Sequence, residues 1–505
     1  MTTPRLSEED LIQALQSGES VMALARRCGL NERTLRRRIQ RMDKRGISIK
    51  LTDAPKSEIK AQTYVITAAV NATKAHSGFL KTLRMYCSEN DARLIVIPMR
   101  YKNPTRKGEV EDDEWWDDRL VPDMVHERTK IARGLVVLAD IKIQPTAINP
   151  LQGWLTVSGT DSAILGHTKI ALKSVPTHPG KPAKLVLTTG ACTVEQYSDT
   201  NAGAKGQFHH TLGAVVVEVD GGRTHIRHIC PMKNGSFIDL DREYTAQGVI
   251  PAQPADTMTM GDSHAQRADQ DVLKATKALA AKVKPLHIVA HDVLDFGSAS
   301  HHAKYFEKFR RHVERTSSVL RELEETAVYM DQIAELADTV VMVSSNHHDH
   351  FTQWLEKSEH AHDLENALVY HETKAAMLRA IHEGGYCDPF QLWMDKLMHR
   401  PSILKWLKPG ESFIRHGVEH AYHGHKGPNG TKGSTKGFAT IGAKVVKGHS
   451  HGAEIIDGAR SVGTSSIMDL GYNADSPSGW THTHNLLYSN GKETLVHCVG
   501  GKFFR

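Results

Sequence analysis

At 505 residues, the chain is too long for one hydrophobic core and points to two to four domains. Its hydrophobic content of 40%, charged content of 24% and net charge of +5 are those of an ordinary soluble globular protein, and the charge alone does not indicate nucleic acid. No apolar run approaches a membrane span, the opening M-T-T-P-R-L-S-E-E-D lacks the apolar core of a signal peptide, and six scattered cysteines without C-x-x-C spacing exclude a disulfide framework and a thiolate zinc site.

These exclusions lead us to expect a reducing, cytoplasmic protein with no membrane partner; a homo-oligomer is compatible with them. The unusual number is 31 histidines, concentrated beyond residue 260, which sets a metal hypothesis against a mere drift in composition.

The first block, residues 1–45, is short and basic. S-E-E-D-L-I-Q-A-L-Q-S-G reads as a helix with Ser7 as N-cap, acids at the positive end of its dipole and Gly18 as its stop. A second and a third helix follow around Cys28-Gly29-Leu30, with the small Ala25 before the turn and Leu35 packing back after it. This spacing resembles the all-α helix-turn-helix motif. Arg33, Arg36, Arg37, Arg38 and Arg41 of the third helix suit phosphates and base edges, so DNA is the expected partner. The plainer alternative is a basic, solvated helical hairpin.

A polar linker, residues 46–60, leads into an α/β pattern over 61–250. T-Y-V-I-T-A-A-V, the amphipathic H-S-G-F-L-K-T-L-R-M-Y-C and R-L-I-V-I-P-M form a βαβ unit, which implies a parallel pair. Further strands are read at G-L-V-V-L-A-D-I-K-I, K-L-V-L-T-T-G and G-A-V-V-V-E-V. The glycine-rich S-D-T-N-A-G-A-K-G-Q-F-H-H lacks the Lys-Ser/Thr ending of a P-loop and reads as a loop. The role of this block stays open.

Residues 251–505 carry the chemistry. T-M-T-M-G-D-S-H ends a strand with Asp262 and His264, two apart and able to reach one cation. L-H-I-V-A-H-D-V-L-D-F ends another at Asp292, with Asp295 three residues on. T-V-V-M-V-S-S-N-H-H-D-H leads to Asn346 and His347. G-V-E-H-A-Y-H-G-H-K-G brings His423 and His425, and V-V-K-G-H-S-H-G-A-E brings His449 and His451. Five strand ends each deliver Asp, Asn or His, and ligands in α/β folds gather beyond strand carboxyl ends. Singly, each has a bland reading as a cap or a satisfied core residue.

The order D-x-H, D-x-x-D, N-H, H, G-H-x-H resembles the calcineurin-like metallophosphoesterase superfamily, and its DNA-nuclease and phage-type branch in particular. Two departures stand out: His291 replaces the usual glycine before Asp292, and in S-N-H-H-D the acid follows one residue late, so Asp349 or Asp295 orients His347. The resemblance implies a C-terminal β-sandwich flanked by helices, so the chain as a whole is α/β. It implies that Asp262, His264 and His451 hold one metal, that Asn346, His423 and His449 hold a second, and that Asp292 bridges them, with His425 competing for the place of His423. Mixed oxygen and nitrogen ligands suit Mn²⁺, Fe or Zn²⁺, and the resemblance favours Mn²⁺ among them. His347 would contact the phosphate and stabilise or protonate the leaving group.

The loop K-G-P-N-G-T-K-G-S-T-K-G adds Lys426, Lys432 and Lys436 beside the site as candidate DNA contacts. His482 and His484 repeat the H-x-H spacing ahead of a strand and read as surface or supporting residues, and Asn490-Gly491 marks a hairpin. The expected activity is a dimetal DNA nuclease. A phosphomonoesterase or nucleotidase, or a DNA-binding regulator with a degenerate phosphoesterase domain, are the alternatives.

Overall fold

The computed structural model describes residues 7–16, 62–101, 115–178, 180–300, 304–357, 362–471 and 473–505, with positions 21, 24, 35, 38, 39, 41, 42 and 45 of the N-terminal block. The chain divides into two compact units, residues 1–60 with a three-residue segment at 129–131, and the remainder.

In the N-terminal unit the helix Glu8–Gln16 starts where expected. Asp10 N–H donates to Ser7 Oγ (3.0 Å), and Ser7 N–H and Oγ–H donate back to the Asp10 carboxylate, a reciprocal cap of two otherwise orphaned donors. Leu11, Ala14 and Leu15 from this helix pack with Val21, Leu24, Leu35, Ile39 and Met42. Leu35 is thus buried, as its spacing predicts. Arg41 is exposed and Arg38 half-buried, whereas Arg33, Arg36, Arg37 and the turn at Cys28–Gly29 lie outside the described residues.

The second unit is built on sheets. Thr63–Val70 and Ala92–Met99 pair in parallel around the helix Ser77–Glu89, which is the expected βαβ unit. Ala214–Asp220 and Arg223–Ile229 complete that four-stranded sheet. The stretch at 198–210 departs from the expected loop: it contains the helix Asn201–His209, capped by the Thr200 side chain. Its glycines serve close packing, since a Cβ at Gly203 would lie 1.9 Å from the Ser198 carbonyl oxygen.

A six-stranded sheet runs in the order Leu404–Trp406, Thr339–Met342, His287–Ala290, Thr257–Thr259, Thr483–Leu487, Glu493–His497. The first four strands are parallel and the last two antiparallel. Alternation along each strand sorts the two faces. Ile288, Ala290, Val340 and Met342 pack on the helices Gln270–Val283 and Val319–Ala334, while Val289 and Val341 pack with Phe413, which leads into the strand Ile414–Arg415 of a second sheet. This gives a sandwich with helices on its outer face. The hairpin at Asn490-Gly491 is present, with Gly491 N–H donating to the Tyr488 carbonyl.

The second sheet joins strands from both sides of residue 250. Lys444–Lys447, Ala459–Ser461 and Glu454–Ile456 continue into Leu172–Val175 and Lys184–Thr188, through the pairs Glu454 with Lys173 and Ile455 with Leu172. Ladder hydrogen bonds therefore cross the boundary drawn between 61–250 and 251–505. Among the described residues no helix is long and apolar enough to cross a membrane.

Candidate metal centre

The centre forms where the parallel strands of the six-stranded sheet and the strand Lys444–Lys447 end together. Asp262 follows Thr257–Thr259 by three residues, and Asp292 follows His287–Ala290 by two. The strand Thr339–Met342 stops short of the ligands. Ser345 caps the helix Asn346–Glu356, accepting from His348 N–H, so Asn346 and His347 occupy its first turn. His449 and His451 follow Lys444–Lys447. Gly448 is required there, because a Cβ would lie 2.2 Å from Asp262 Oδ1. Four site residues adopt left-handed backbone: His264 (φ 43°), Asp292 (43°), His449 (71°) and His451 (54°). Non-glycine residues in that region each cost on the order of 1 kcal/mol or more, and such strain concentrates at functional sites.

Two clusters of ligand atoms share one carboxylate. Asp262, His264, Asp292 and His451 bring one atom each to within 4.8 Å of one another, and Asp292, His423 and His449 do the same. His451 Nε2 lies 3.0 Å from Asp262 Oδ2, and His423 Nε2 lies 3.0 Å from Asp292 Oδ2. His264 Nε2 and His451 Nε2 are 3.2 Å apart. His423 Nε2 is also 3.2 Å from Asn346 Oδ1, which brings Asn346 to the second cluster. His449 contributes its N–H as well, donated to Asp262 Oδ2 at 2.7 Å.

A cation pair fits these residues on two observations. Asp262 Oδ1 and Asp292 Oδ1 are buried without a hydrogen-bond partner, a costly state for polar atoms unless a ligand takes the lone pairs. Two nitrogens each about 2.0–2.1 Å from one metal lie about 3.0–3.4 Å apart, the spacing found for His264 and His451. The mixed carboxylate, amide and imidazole donors suit Mn²⁺, Fe or Zn²⁺ and no soft thiolate metal.

Charge in the pocket is strongly coupled. Burial, the largest single influence, pushes the Asp262 and Asp292 carboxyls up, yet His423 and His451 at Asp262, and His423, His347 and His264 at Asp292, together outweigh it. Both end below the usual carboxylate range. Burial lowers His264, but Asp295, Asp292 and Asp262 together raise it to about 9. Burial, then the neighbouring His423, brings His449 down to about 4.

Supporting contacts fix the tautomers. His264 Nδ1–H donates to Asp295 Oδ1 at 3.0 Å, turning Nε2 toward the cluster. His347 Nδ1–H donates to the Asp295 backbone carbonyl at 2.7 Å, leaving Nε2 4.0 Å from Asp292 Oδ2. Asp295 is thus the residue that orients His347. Asp349 faces His425 (3.8 Å) and Lys426 (3.4 Å) instead.

His423 lies in the clusters and His425 does not. Lys426, Lys432 and Lys436 are exposed. His482 Nδ1–H donates to the Thr464 carbonyl, and the wholly buried His484 accepts the Gly261 N–H from behind Asp262.

Two contributors carried little sequence signal. Lys447, fully buried, donates Nζ–H to the Gly448 carbonyl (2.9 Å) and to Ser450 Oγ (3.2 Å), pinning the loop of His449 and His451. Glu322, on the helix Val319–Ala334, accepts the Gly297 and Ser298 N–H groups just after Asp295. A lysine at an inward strand position was the one available hint of the former.

A helix-turn-helix domain family matches residues 9–57. Protein A1 of Escherichia phage T5 is 30% identical over 470 residues, covering 88% of this chain and 84% of the relative. Two solved structures of Vps29 align over about a third of the chain. A single mutant of the Entamoeba histolytica protein matches at 12% identity and a TM-score of 0.20, covering 34% of this chain and 94% of its own. The Chaetomium thermophilum protein matches at 7% identity and 0.21, covering 37% and 100%. A likeness at that level carries no argument about the site.

Proposed function

The chain belongs to the family of protein A1 of Escherichia phage T5, and from that premise we propose a dimetal-dependent phosphodiesterase that hydrolyses DNA. The observation that carries the reading is the pair of ligand clusters sharing Asp292, with orphaned buried donors in both. Asp262, His264 and His451 hold one ion; Asn346, His423 and His449 hold the other; Asp292 serves both. When bound, two divalent cations, Mn²⁺ first, supply Lewis acidity toward the phosphate and lower the pKa of the attacking water.

The chain's own residues do the rest. His347 is anchored through Nδ1, so Nε2 is the atom left to face the phosphate, and in the imidazolium form it hydrogen-bonds a phosphate oxygen and gives its Nε2 proton to the leaving oxygen. Asp295 holds both His264 and His347 and acts by positioning. Asn346 and His347 stand in the first turn of a helix, where backbone N–H groups and the dipole favour an anion. DNA as substrate rests on the helix-turn-helix match and on the exposed Arg41, Lys426, Lys432 and Lys436; a cytoplasmic setting belongs to the same reading.

The test incubates the full chain with Mn²⁺ or EDTA and with linear, circular and single-stranded DNA, alongside p-nitrophenyl phosphate. Metal-dependent loss of DNA is expected. Turnover of the monoester alone sinks the nuclease, and activity that survives Asp292→Ala sinks the dimetal chemistry.

A further inference from the structure

A cleft of about 990 Å³ reaches the metal centre at Asn346, with Asp295 and His347 also in its lining. One wall is the helix Tyr305–Glu314, Y-F-E-K-F-R-R-H-V-E, none of whose side chains is buried. At 100° per residue its side chains divide into two faces. Glu307, Arg310, Arg311 and Glu314 line the cleft, and Glu307 Oε1 braces both guanidinium groups, at 2.9 Å from Arg310 and 3.1 Å from Arg311. The other face carries Tyr305, Phe306, Phe309 and Val313, exposed by 77%, 84%, 60% and 65%. Amphipathic helices of globular proteins normally bury the apolar face. Here the polar face is turned to the cleft and the aromatic face to solvent.

Arginines next to solvent-facing aromatics are what unpaired nucleic acid requires: cations for the backbone and rings for the bases to stack on. Arg267 and Arg321 extend the guanidinium set along the cleft. Glu314, Glu325 and Asp469 share its lining, which disfavours a bare run of phosphates. Carboxylates do suit unpaired bases, each of which offers an N–H donor, an exocyclic amino group or, in thymine, the ring N3–H. The volume sits at the upper end for a small-ligand site, enough for a few unstacked nucleotides and too little for the body of a duplex.

Resting on the phosphodiesterase reading, we infer that the helix Tyr305–Glu314 guides an unpaired strand, holding nucleotides that flank the scissile phosphate. Arg310 and Arg311 take the phosphates in the cleft, and Phe306 and Phe309, on the solvent side of the same helix, stack the bases of the strand where it leaves the cleft. The preferred substrate is then single-stranded DNA, or the frayed or overhanging end of a duplex.

The test uses the full chain and two variants, Phe306→Ala/Phe309→Ala and Arg310→Ala/Arg311→Ala; the aromatics are so exposed that their loss leaves the core untouched. Anisotropy of fluorescein-labelled (dT)6 in EDTA reads strand binding, and a blunt hairpin duplex is the control. Hydrolysis of bis(p-nitrophenyl) phosphate with Mn²⁺ reads the metal centre alone. Each variant is expected to weaken (dT)6 binding about tenfold or more, with hairpin affinity and bis(p-nitrophenyl) phosphate turnover within about twofold of the parent.

Unchanged (dT)6 binding overturns the inference, as does an equal loss on the hairpin. A shift in sedimentation without loss of strand binding also overturns it and makes the aromatic face a protein-docking surface. If the strand effect appears while the parent fails to cleave the small diester, the helix's strand-binding role stands and the phosphodiesterase reading fails. Cleavage of the diester without the strand effect gives the reverse.

Discussion

Two regions of the larger unit bury charge, and they do so in opposite ways. In the four-stranded sheet Arg227 is 3% exposed, and its guanidinium donates to Glu218 Oε1 and Oε2 (both 2.9 Å) and to Asp239 Oδ2 (2.7 Å), while Tyr86 Oη–H also donates to Asp239 (2.9 Å). Every charge there is answered inside the chain. In the metal centre Asp262 and Asp292 are as deeply buried, yet each leaves one carboxylate oxygen without a donor, and ring nitrogens beside them are orphaned too. Buried charge closed on itself is structure; buried charge whose lone pairs converge and stop is a place prepared for something else.

Substitutions that break each region separately should therefore produce opposite symptoms. The largest effect is expected from Asp292→Ala, which removes the carboxylate common to both clusters. Mn²⁺-dependent cleavage should fall below detection, while the metal-free variant melts no lower than the metal-free parent. Arg227→Met is the mirror case. Leaving Glu218 and Asp239 buried without their cation should cost about 3–5 kcal/mol of stability, read by denaturant melts of metal-free protein, with Mn²⁺ affinity unchanged in whatever remains folded.

Asp295→Asn tests positioning. It keeps the backbone carbonyl that holds His347 and weakens the acceptor that orients His264, so metal affinity should drop about 10–100-fold in calorimetric titration. A wild-type affinity would place Asp295 outside the site's support.

Glu322 is an intermediate case and the smallest effect. Burial, aided by Asp295, raises its carboxyl to about 6 against the two backbone N–H groups that favour its charged form. A raised acid means that the folded state holds its proton more tightly than the unfolded chain, whose glutamate titrates near 4.3. Below about pH 4.3 this residue adds no penalty. As pH rises toward 6 the unfolded state ionises first, and stability falls by about 2 kcal/mol at most. Glu322→Gln should flatten that part of the stability profile, and an unaltered profile would show that the carboxylate is not desolvated.

How much of this was legible in the sequence follows from the range of the interactions. Ser7 as a cap, the parallel βαβ pair at 63–99 and the burial of Leu35 depend on neighbours a few residues away, and they could be read. The ordered series Asp262, His264, Asp292, His423, His449, His451 was readable from its resemblance to the superfamily's motif order, with strand ends placing side chains at one edge of a sheet, whereas Asn346, named with them, stands in the first turn of a helix. Contacts between distant segments were not readable. Nothing local shows that Asp295 orients His347 through a backbone carbonyl, that Asp349 faces His425, or that Leu172–Val175 pairs with Glu454–Ile456 across the boundary at 250. The helix Asn201–His209 was hidden by glycines that look like loop residues and are in fact close-packing sites.

The central claim is that the orphaned carboxylates and imidazoles form two cation sites joined at Asp292. Isothermal titration of EDTA-stripped protein with Mn²⁺, checked by elemental analysis after desalting, measures it directly. The account predicts two ions per chain in the parent and the loss of both from Asp292→Ala. A single ion in the parent, or two that persist without Asp292, would contradict it.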